Sequence, residues 1–137
     1  MSHITLSSHE GTSFEKLLGH APHLLKQWDQ LEHAFLKSST FEPNFLEQVR
    51  RALAFKNQCQ YCMAKAGPPS PESYEDMRLK VALSFANQFA IDHLEMGKGE
   101  VDELKHYFSD SEVVELIAFC SFISASQRFG AVLGLGV

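Results

Sequence analysis

The chain has 137 residues, of which 45% are apolar and 21% are charged, and this is the composition of a globular domain. Its formal net charge of -5 argues against nucleic acid as a partner, so we expect none. The most apolar stretch, residues 116–125, is about half as long as a membrane span, so we expect no membrane partner. The first residues show no secretory signal, and we expect a cytoplasmic protein.

Apolar residues recur at helical spacing through the first half of the chain. A short helix is expected first, behind a serine or threonine cap. A second helix is expected from Pro22, because proline suits the first helical position. We expect Thr40 to cap a third helix that has Pro43 in its first turn and reaches a weak point at residues 57–58.

The run Gly-Pro-Pro-Ser-Pro at residues 67–71 is the clearest helix breaker in the sequence. Two adjacent prolines fix the backbone and remove two hydrogen-bond donors, so no helix passes through. Residues 59–66 are therefore expected to form a short helix, or the end of a helix, before the break. After it we expect a long helix that opens at Ser70 or Ser73 and ends at the glycines of residues 97–99.

A short helix and then a long apolar helix are expected in the C-terminal part of the chain. Ser109 is a strong N-cap signal for the last helix, which we expect to run to about Arg128. That helix is apolar on nearly every face, which indicates burial in a core or between subunits. The glycine-rich tail either frays or docks. We find no strand pattern, so the sequence predicts an all-α, single-domain bundle of about six helices that assembles as a homo-oligomer.

The cysteines are the residues for which chemistry is most plausible. Cys59 and Cys62 form a CxxC pair, whose side chains would share one face of a helix. Cys120 lies in an apolar run and is expected to be a buried, unreactive residue. The pair has three candidate uses: dithiol–disulfide exchange, half of a zinc site, or packing alone.

Zinc is the least supported use of the pair, because a structural zinc site usually has four ligands and no second CxxC is present. His20 and His23 are the only close histidines, and the intervening Pro22 makes a shared helical face doubtful. We favour redox chemistry, since structural disulfides are rare in a reducing compartment. Lys65 is expected to be a solvated surface residue.

The surroundings of the pair carry a family resemblance. Glu47 stands twelve positions before Cys59, and the CxxC has an aromatic residue, Tyr61, before its second cysteine. This pattern resembles the core of the alkyl hydroperoxidase D-like branch of the carboxymuconolactone decarboxylase family. The C-terminal stretch is similar to the last helix of that family, with a Gln-Arg pair where an Asn-Arg pair usually stands. The resemblance covers roughly residues 41–136 and implies that residues 1–137 form one all-helical domain of this kind.

The resemblance also implies the roles of particular residues. Cys62 would be the attacking cysteine, Cys59 the resolving one, and Glu47 part of a proton relay. In the family the relay ends in a histidine four residues after the second cysteine, and this chain has Ala66 there. Other histidines, such as His93 or His23, would have to reach the site in space. The family implies a homo-oligomer that needs no flavin, haem or metal.

Without the resemblance, Glu47 would be one of several acidic residues on an amphipathic helix, most of which are solvated. On one unbroken helix, Glu47 and Cys59 would lie about 18 Å apart along the axis and about 120° apart around it. Direct contact therefore requires the chain to turn near residues 57–58, or another arrangement of the site.

Two hypotheses about function follow. The first is a thiol-dependent antioxidant oxidoreductase, acting on a peroxide or a disulfide and reduced by a thiol protein or a lipoyl-type dithiol. The second is a non-enzymatic helical oligomer that has kept the fold and lost catalysis, and Ala66 favours it. A decarboxylase acting on a lactone is a distant third, because no cluster of basic residues for a carboxylated substrate is apparent.

Overall fold

The computed structural model describes residues 1–136, and within that range every regular element is a helix. The predicted all-α fold is confirmed, with seven α-helices rather than about six. The α-helices are α1 (Ser13–Leu18), α2 (Pro22–Lys37), α3 (Pro43–Lys56), α4 (Gln60–Ala66), α5 (Met77–Asp92), α6 (Lys98–Lys105) and α7 (Asp110–Val132). Two 3-10 helices cover Pro71–Tyr74 and His93–Glu95.

Helix starts follow local capping chemistry. Thr12 caps α1 through a capping box with Glu15, and Ser109 caps α7 through one with Glu112, so both predicted caps are confirmed. Helix α3 differs from the prediction, because its N-cap is Glu42 and not Thr40. Glu42 is extended, with φ -65° and ψ 147°, since the residue before a proline avoids the helical region.

The long helix after the proline-rich break does not open at Ser70 or Ser73, as predicted, but at Met77. The intervening residues include the 3-10 helix Pro71–Tyr74, and the hydroxyl of Ser70, just before it, lies 3.0 Å from that of Ser73. Asp76 is the actual N-cap, and its carboxylate accepts from the backbone N–H groups of Arg78 and Leu79. The two serines therefore satisfy each other instead of capping a helix.

The ends of the last three helices also shift from the prediction. Helix α5 ends at Asp92, before the glycines at 97–99, because a 3-10 helix intervenes. Gly97 is the N-cap residue of α6, so these glycines start the next helix. Helix α7 continues past Arg128 to Val132. None of the helices described is both long enough and apolar enough to cross a membrane.

The core lies where α3, α5 and α7 meet, and it determines where the site can form. Leu53, Leu83 and Leu116 lie at its centre, one from each helix, and are fully buried. Cys120 belongs to the same cluster and is buried, as predicted. Burial raises the pKa of the Cys120 thiol to about 12, so it stays protonated at neutral pH. Cys120 therefore acts as a core residue rather than as a nucleophile.

The C-terminal tail docks against the rest of the domain, which is one of the two predicted alternatives. Leu135 is buried, and its N–H donates to the carbonyl of Gly130 at 2.9 Å. Gly136 has φ +83° and passes so near the backbone of Tyr61 that a Cβ would lie 2.6 Å from its Cα. Only glycine fits there, both for its backbone conformation and for this close approach. The tail thus lies against the start of α4.

Candidate functional site

The chain turns sharply between α3 and α4, at the weak point predicted at residues 57–58. Asn57 is the last residue in a helical conformation, and Gln58 has φ 55°, in the left-handed region. The N–H of Cys59 then donates back to the carbonyl of Ala54 at 3.0 Å. The turn folds α4 back against α3, so the separation computed for one continuous helix does not apply.

Cys59 and Cys62 are joined by a disulfide, with their Cα atoms 5.3 Å apart. Cys59 is the N-cap of α4, and its sulfur accepts the N–H of Cys62 at 3.3 Å. The two cysteines have different environments, because Cys59 is only 1% exposed whereas Cys62 is partly exposed. An incoming reactant can therefore reach Cys62 and not Cys59.

Cys62 opens onto a small cavity of about 100 Å³. Its other wall residues come from α1, α2, α3 and α7: Phe14, Trp28, Glu32, Arg50, Phe122, Ile123, Ser126 and Gln127. A second cavity of about 240 Å³ shares Glu32, Arg50, Phe122 and Ile123 with it. Because they share these wall residues, the two cavities are adjacent. The second adds an apolar surface from Phe35, Leu46 and Phe119, together with the polar residues Glu47 and Lys65.

Glu47 lies on α3 and binds two arginines that follow it on the same helix. Arg50 donates to both of its carboxylate oxygens, from Nε at 2.9 Å and from Nη2 at 2.6 and 2.7 Å. Arg51 donates from Nε at 3.1 Å. Partial burial alone would raise the pKa of Glu47, but the hydrogen bonds and charges of the two arginines outweigh it and lower that pKa. Glu47 is therefore held ionised.

The predicted site residues are brought together only in part. Cys59 and Cys62 are bonded, whereas Glu47 lines the second cavity and not the one at Cys62. Arg50 connects them, because it binds Glu47 and lines both cavities. Sequence reasoning missed Arg50. The available signal was its position three residues after Glu47, on the same helical face.

A polar network fastens the end of α3 to α7 behind the cysteines. Asn57 donates from Nδ2 to Ser124 Oγ at 3.0 Å and to Gln127 Oε1 at 2.8 Å. Gln127 in turn donates from Nε2 to the carbonyl of Arg50 at 3.2 Å. Gln127 is 2% exposed, so its side-chain amide has no solvent to replace a lost partner. The network fixes the position from which the chain turns toward Cys59.

No histidine lines either of the two cavities. His93 packs its ring against Phe89 at the end of α5, and neither His93 nor His23 is a wall residue of these cavities. Ala66 is the last residue of α4, one turn beyond Cys62. Lys65 is exposed, as predicted, with its Nζ 5.8 Å from the centre of the Tyr61 ring.

The histidine pair considered for zinc is not arranged as ligands. His20 Nε2 lies 2.6 Å from the carbonyl oxygen of Thr5, which occupies that nitrogen. Over residues 1–136, no group of three or more histidine, cysteine, aspartate or glutamate side chains is placed to hold a metal ion. The geometry around the cysteine pair is therefore that of a dithiol–disulfide beside a cavity.

Comparisons with known proteins identify the fold. No family model matches the sequence, and no curated protein matches it. Among solved structures, the chain is similar to the crystal structure of an uncharacterized peroxidase-related protein from Silicibacter sp. TM1040. The TM-score is 0.78 at 17% sequence identity, over 90% of this chain and 74% of that chain. At this identity the likeness establishes the all-helical fold.

Proposed function

We propose that this protein is a thiol-dependent oxidoreductase of the alkyl hydroperoxidase D-like type, acting as a peroxidase or a disulfide reductase. The observation that carries the proposal is the bonded Cys59–Cys62 pair with unequal exposure, since Cys59 is buried and Cys62 faces a cavity. A redox-active pair needs one accessible sulfur to attack and one protected sulfur to resolve. The fold shared with a peroxidase-related protein supports the same assignment.

In the peroxidase reaction, the Cys62 thiolate attacks the outer oxygen of a hydroperoxide. The O–O bond breaks, Cys62 becomes a sulfenic acid, and the leaving alkoxide takes up a proton to become an alcohol. The Cys59 thiol then attacks the Cys62 sulfur, forming the disulfide and releasing water. The two cysteines have lost two electrons and the peroxide has gained them. Glu47 belongs to the site through its contact with Arg50.

Return to the dithiol requires two electrons and two protons from a partner. We propose a thiol protein or a lipoyl-type dithiol, which would attack the exposed Cys62 sulfur and leave as a disulfide. Such exchange needs no flavin, haem or metal. A cytoplasmic location fits the cycle, because the glutathione and thioredoxin systems keep thiols reduced there.

Peroxide consumption with a dithiol donor tests this function. Wild type should consume peroxide, and Cys62→Ser should lose turnover completely because no nucleophile remains. Cys59→Ser should stop at a Cys62 sulfenic acid or a mixed disulfide, detectable by mass spectrometry. Cys120→Ala is the matched control and should keep turnover, because Cys120 is in the core. Equal peroxide turnover together with equal disulfide exchange in wild type and Cys62→Ser would rule the proposal out.

A non-enzymatic role in an oligomer is the second candidate, and one observation favours it: Ala66 stands one turn beyond Cys62 and neither cavity has a histidine wall. The two candidates differ in disulfide exchange, which needs only an accessible thiolate. Absence of both peroxide turnover and disulfide exchange, in a correctly folded protein, would establish the second candidate over the first.

We also propose that the protein is a homo-oligomer. Helix α2 exposes Leu24 and Leu31, at 49% and 48%, beside an almost wholly apolar cavity of about 300 Å³ that Trp28 and Ala125 also line. An exposed apolar surface of this kind is typical of an interface. Light scattering should give a mass above one chain, and Leu31→Glu should lower it. Ile91→Glu, which changes an exposed residue on α5, should not.

A further inference from the structure

We propose, on the basis of the thiol chemistry above, that Arg50 stabilises the Cys62 sulfur in its anionic form and that Glu47 positions Arg50 instead of accepting a proton. This assigns a role to a residue outside the cysteine pair and changes the role expected for Glu47. The proposal depends on three observations: the hydrogen-bond geometry of Arg50, the cavity that it shares with Cys62, and the charges around that cavity.

The guanidinium of Arg50 is oriented by Glu47. Its Nε and Nη2 bind the two carboxylate oxygens side by side, an arrangement that fixes the plane of the group. Its Nη1 makes no hydrogen bond with any residue described, so two N–H donors remain for another ligand. The side chain is only 26% exposed, so water competes poorly for it.

Arg50 and the more exposed cysteine of the pair, Cys62, border the same small space. Arg50 and Cys62 both line the cavity of about 100 Å³, and neither Glu47 nor Arg51 does. A cation near a partly buried thiol favours its charged form, because their interaction is screened less than in open water. Arg50 is the one cation among the walls of that cavity, as far as the described residues show.

The other charged groups near Cys62 have a smaller or opposite effect. From α2, Glu32 lines the cavity and disfavours a thiolate. From α4 itself, Lys65 is exposed and lines only the neighbouring cavity. Helix α1 contributes Phe14, and α7 contributes neutral Ser126 and Gln127. The cluster of Glu47, Arg50 and Arg51 adds one net positive charge on the α3 side.

Glu47 is poorly suited to accept a proton. Both of its oxygens already accept hydrogen bonds from arginines, and those groups lower its pKa. A proton placed on Glu47 would break charge-assisted hydrogen bonds that the structure holds at 2.6 to 3.1 Å. Glu47 therefore acts through Arg50, as a positioning residue.

The test is the rate of Cys62 alkylation by iodoacetamide as a function of pH, measured by mass spectrometry in a reduced Cys59→Ser background. Serine is a favoured N-cap, so α4 keeps its start, and Cys120 is buried, so Cys62 is the reacting thiol. The measurement needs neither peroxide nor partner, so its result does not depend on whether the proposed peroxidase activity exists. Circular dichroism verifies the fold of each variant.

Arg50→Gln should slow alkylation at neutral pH by about tenfold and move the midpoint of the pH profile upward, because an opposite charge is lost. Arg50→Lys should restore most of the rate. Arg51→Gln is the matched control, since Arg51 also binds Glu47 but does not line the cavity, and its rate should stay within about twofold. Glu32→Gln should act in the opposite direction and speed alkylation.

Glu47→Ala distinguishes a role of Glu47 in positioning Arg50 from a direct effect of its own negative charge. Removal of a negative charge by itself favours a thiolate and speeds alkylation, whereas loss of the support for Arg50 slows it. Slower alkylation is the expected result. Faster alkylation in Glu47→Ala would overturn the positioning role, and an unchanged rate in Arg50→Gln, or an equal loss in Arg51→Gln, would overturn the role of Arg50.

Discussion

Asn57, the residue that ends α3, donates a hydrogen bond from Nδ2 to Oε1 of Gln127 on α7 at 2.8 Å. The same glutamine donates to the carbonyl of Arg50, about two turns earlier on α3. One buried side chain thus holds both the backbone that carries Arg50 and the turn that leads to Cys59. The cysteine pair depends on α7 for its position, although no cysteine of the pair lies on α7.

Gln127→Leu should destabilise the protein by about 1–3 kcal/mol, because leucine is similar in volume but removes, at a buried position, the hydrogen bonds to Asn57 and to the carbonyl of Arg50. Urea unfolding followed by circular dichroism measures the change. Gln30→Leu, the same substitution at an exposed position of α2, serves as the control and should change the free energy of unfolding little. Equal effects at the two positions would show that the network adds no stability.

Mild oxidation of the reduced protein should remove two free thiols and form an intramolecular Cys59–Cys62 bridge, leaving Cys120 unreacted. The pair is already in bonding position, and burial raises the pKa of Cys120 to about 12, so it has almost no thiolate at neutral pH. Thiol counting and mass-spectrometric mapping of peptides provide the measurement. Prior reaction of Cys120, or a bridge between chains, would contradict the redox role of the pair.

Acid should weaken the fold partly through Glu47. The pKa of this carboxylate in the folded protein lies below its ordinary value of 4.5, so its stabilising contribution is complete above that value. The contribution is lost as the pH falls through the lowered folded pKa. Glu47→Gln should therefore show a smaller loss of unfolding free energy than wild type between neutral and acidic pH. Urea unfolding across that range measures it.

Glu103→Gln is the control for this pH dependence. Glu103 is an exposed residue of α6 for which no salt bridge is found among the residues described. Its substitution should leave the acid dependence of wild type nearly intact. The contribution assigned to Glu47 would be refuted if both variants followed the wild-type curve.

Ala66→His should raise peroxide turnover. Position 66 is on the same face of α4 as Cys62, one turn later, and a histidine there could take a proton from the thiol and return it to the leaving oxygen. General acid–base assistance of this kind contributes roughly 10²–10⁴-fold. Wild type, without it, should consume peroxide weakly while exchanging disulfides readily. Steady-state peroxide consumption with a dithiol donor measures the gain.

Ala64→His provides the matched control for Ala66→His, because it makes the same substitution at an exposed position of α4. Position 64 lies about 200° around the helix from Cys62, so a histidine there faces away from that thiol. This substitution should not raise turnover. Robust wild-type turnover that Ala66→His leaves unchanged would mean that another group already moves the proton.

The sequence by itself determined the helical fold and several of the points at which helices start and end. Thr12 and Ser109 cap helices within one turn, and the proline-rich run after Ala66 ends α4, because caps and breakers act through backbone groups three or four residues away. Where two local signals competed, the sequence was misread. Ser70 and Ser73 looked like caps, but they hydrogen-bond to each other and leave Asp76 to start α5.

The tertiary structure alone decided how the site is built. The CxxC spacing places two sulfurs together, but their unequal exposure depends on which helices cover Cys59 and which leave Cys62 open. Arg50 and Gln127 become site residues because α3 and α7 pack in contact, far apart in sequence. Side chains brought together by packing leave no periodic pattern in the chain, since the spacing between them is fixed by the fold and not by helical geometry.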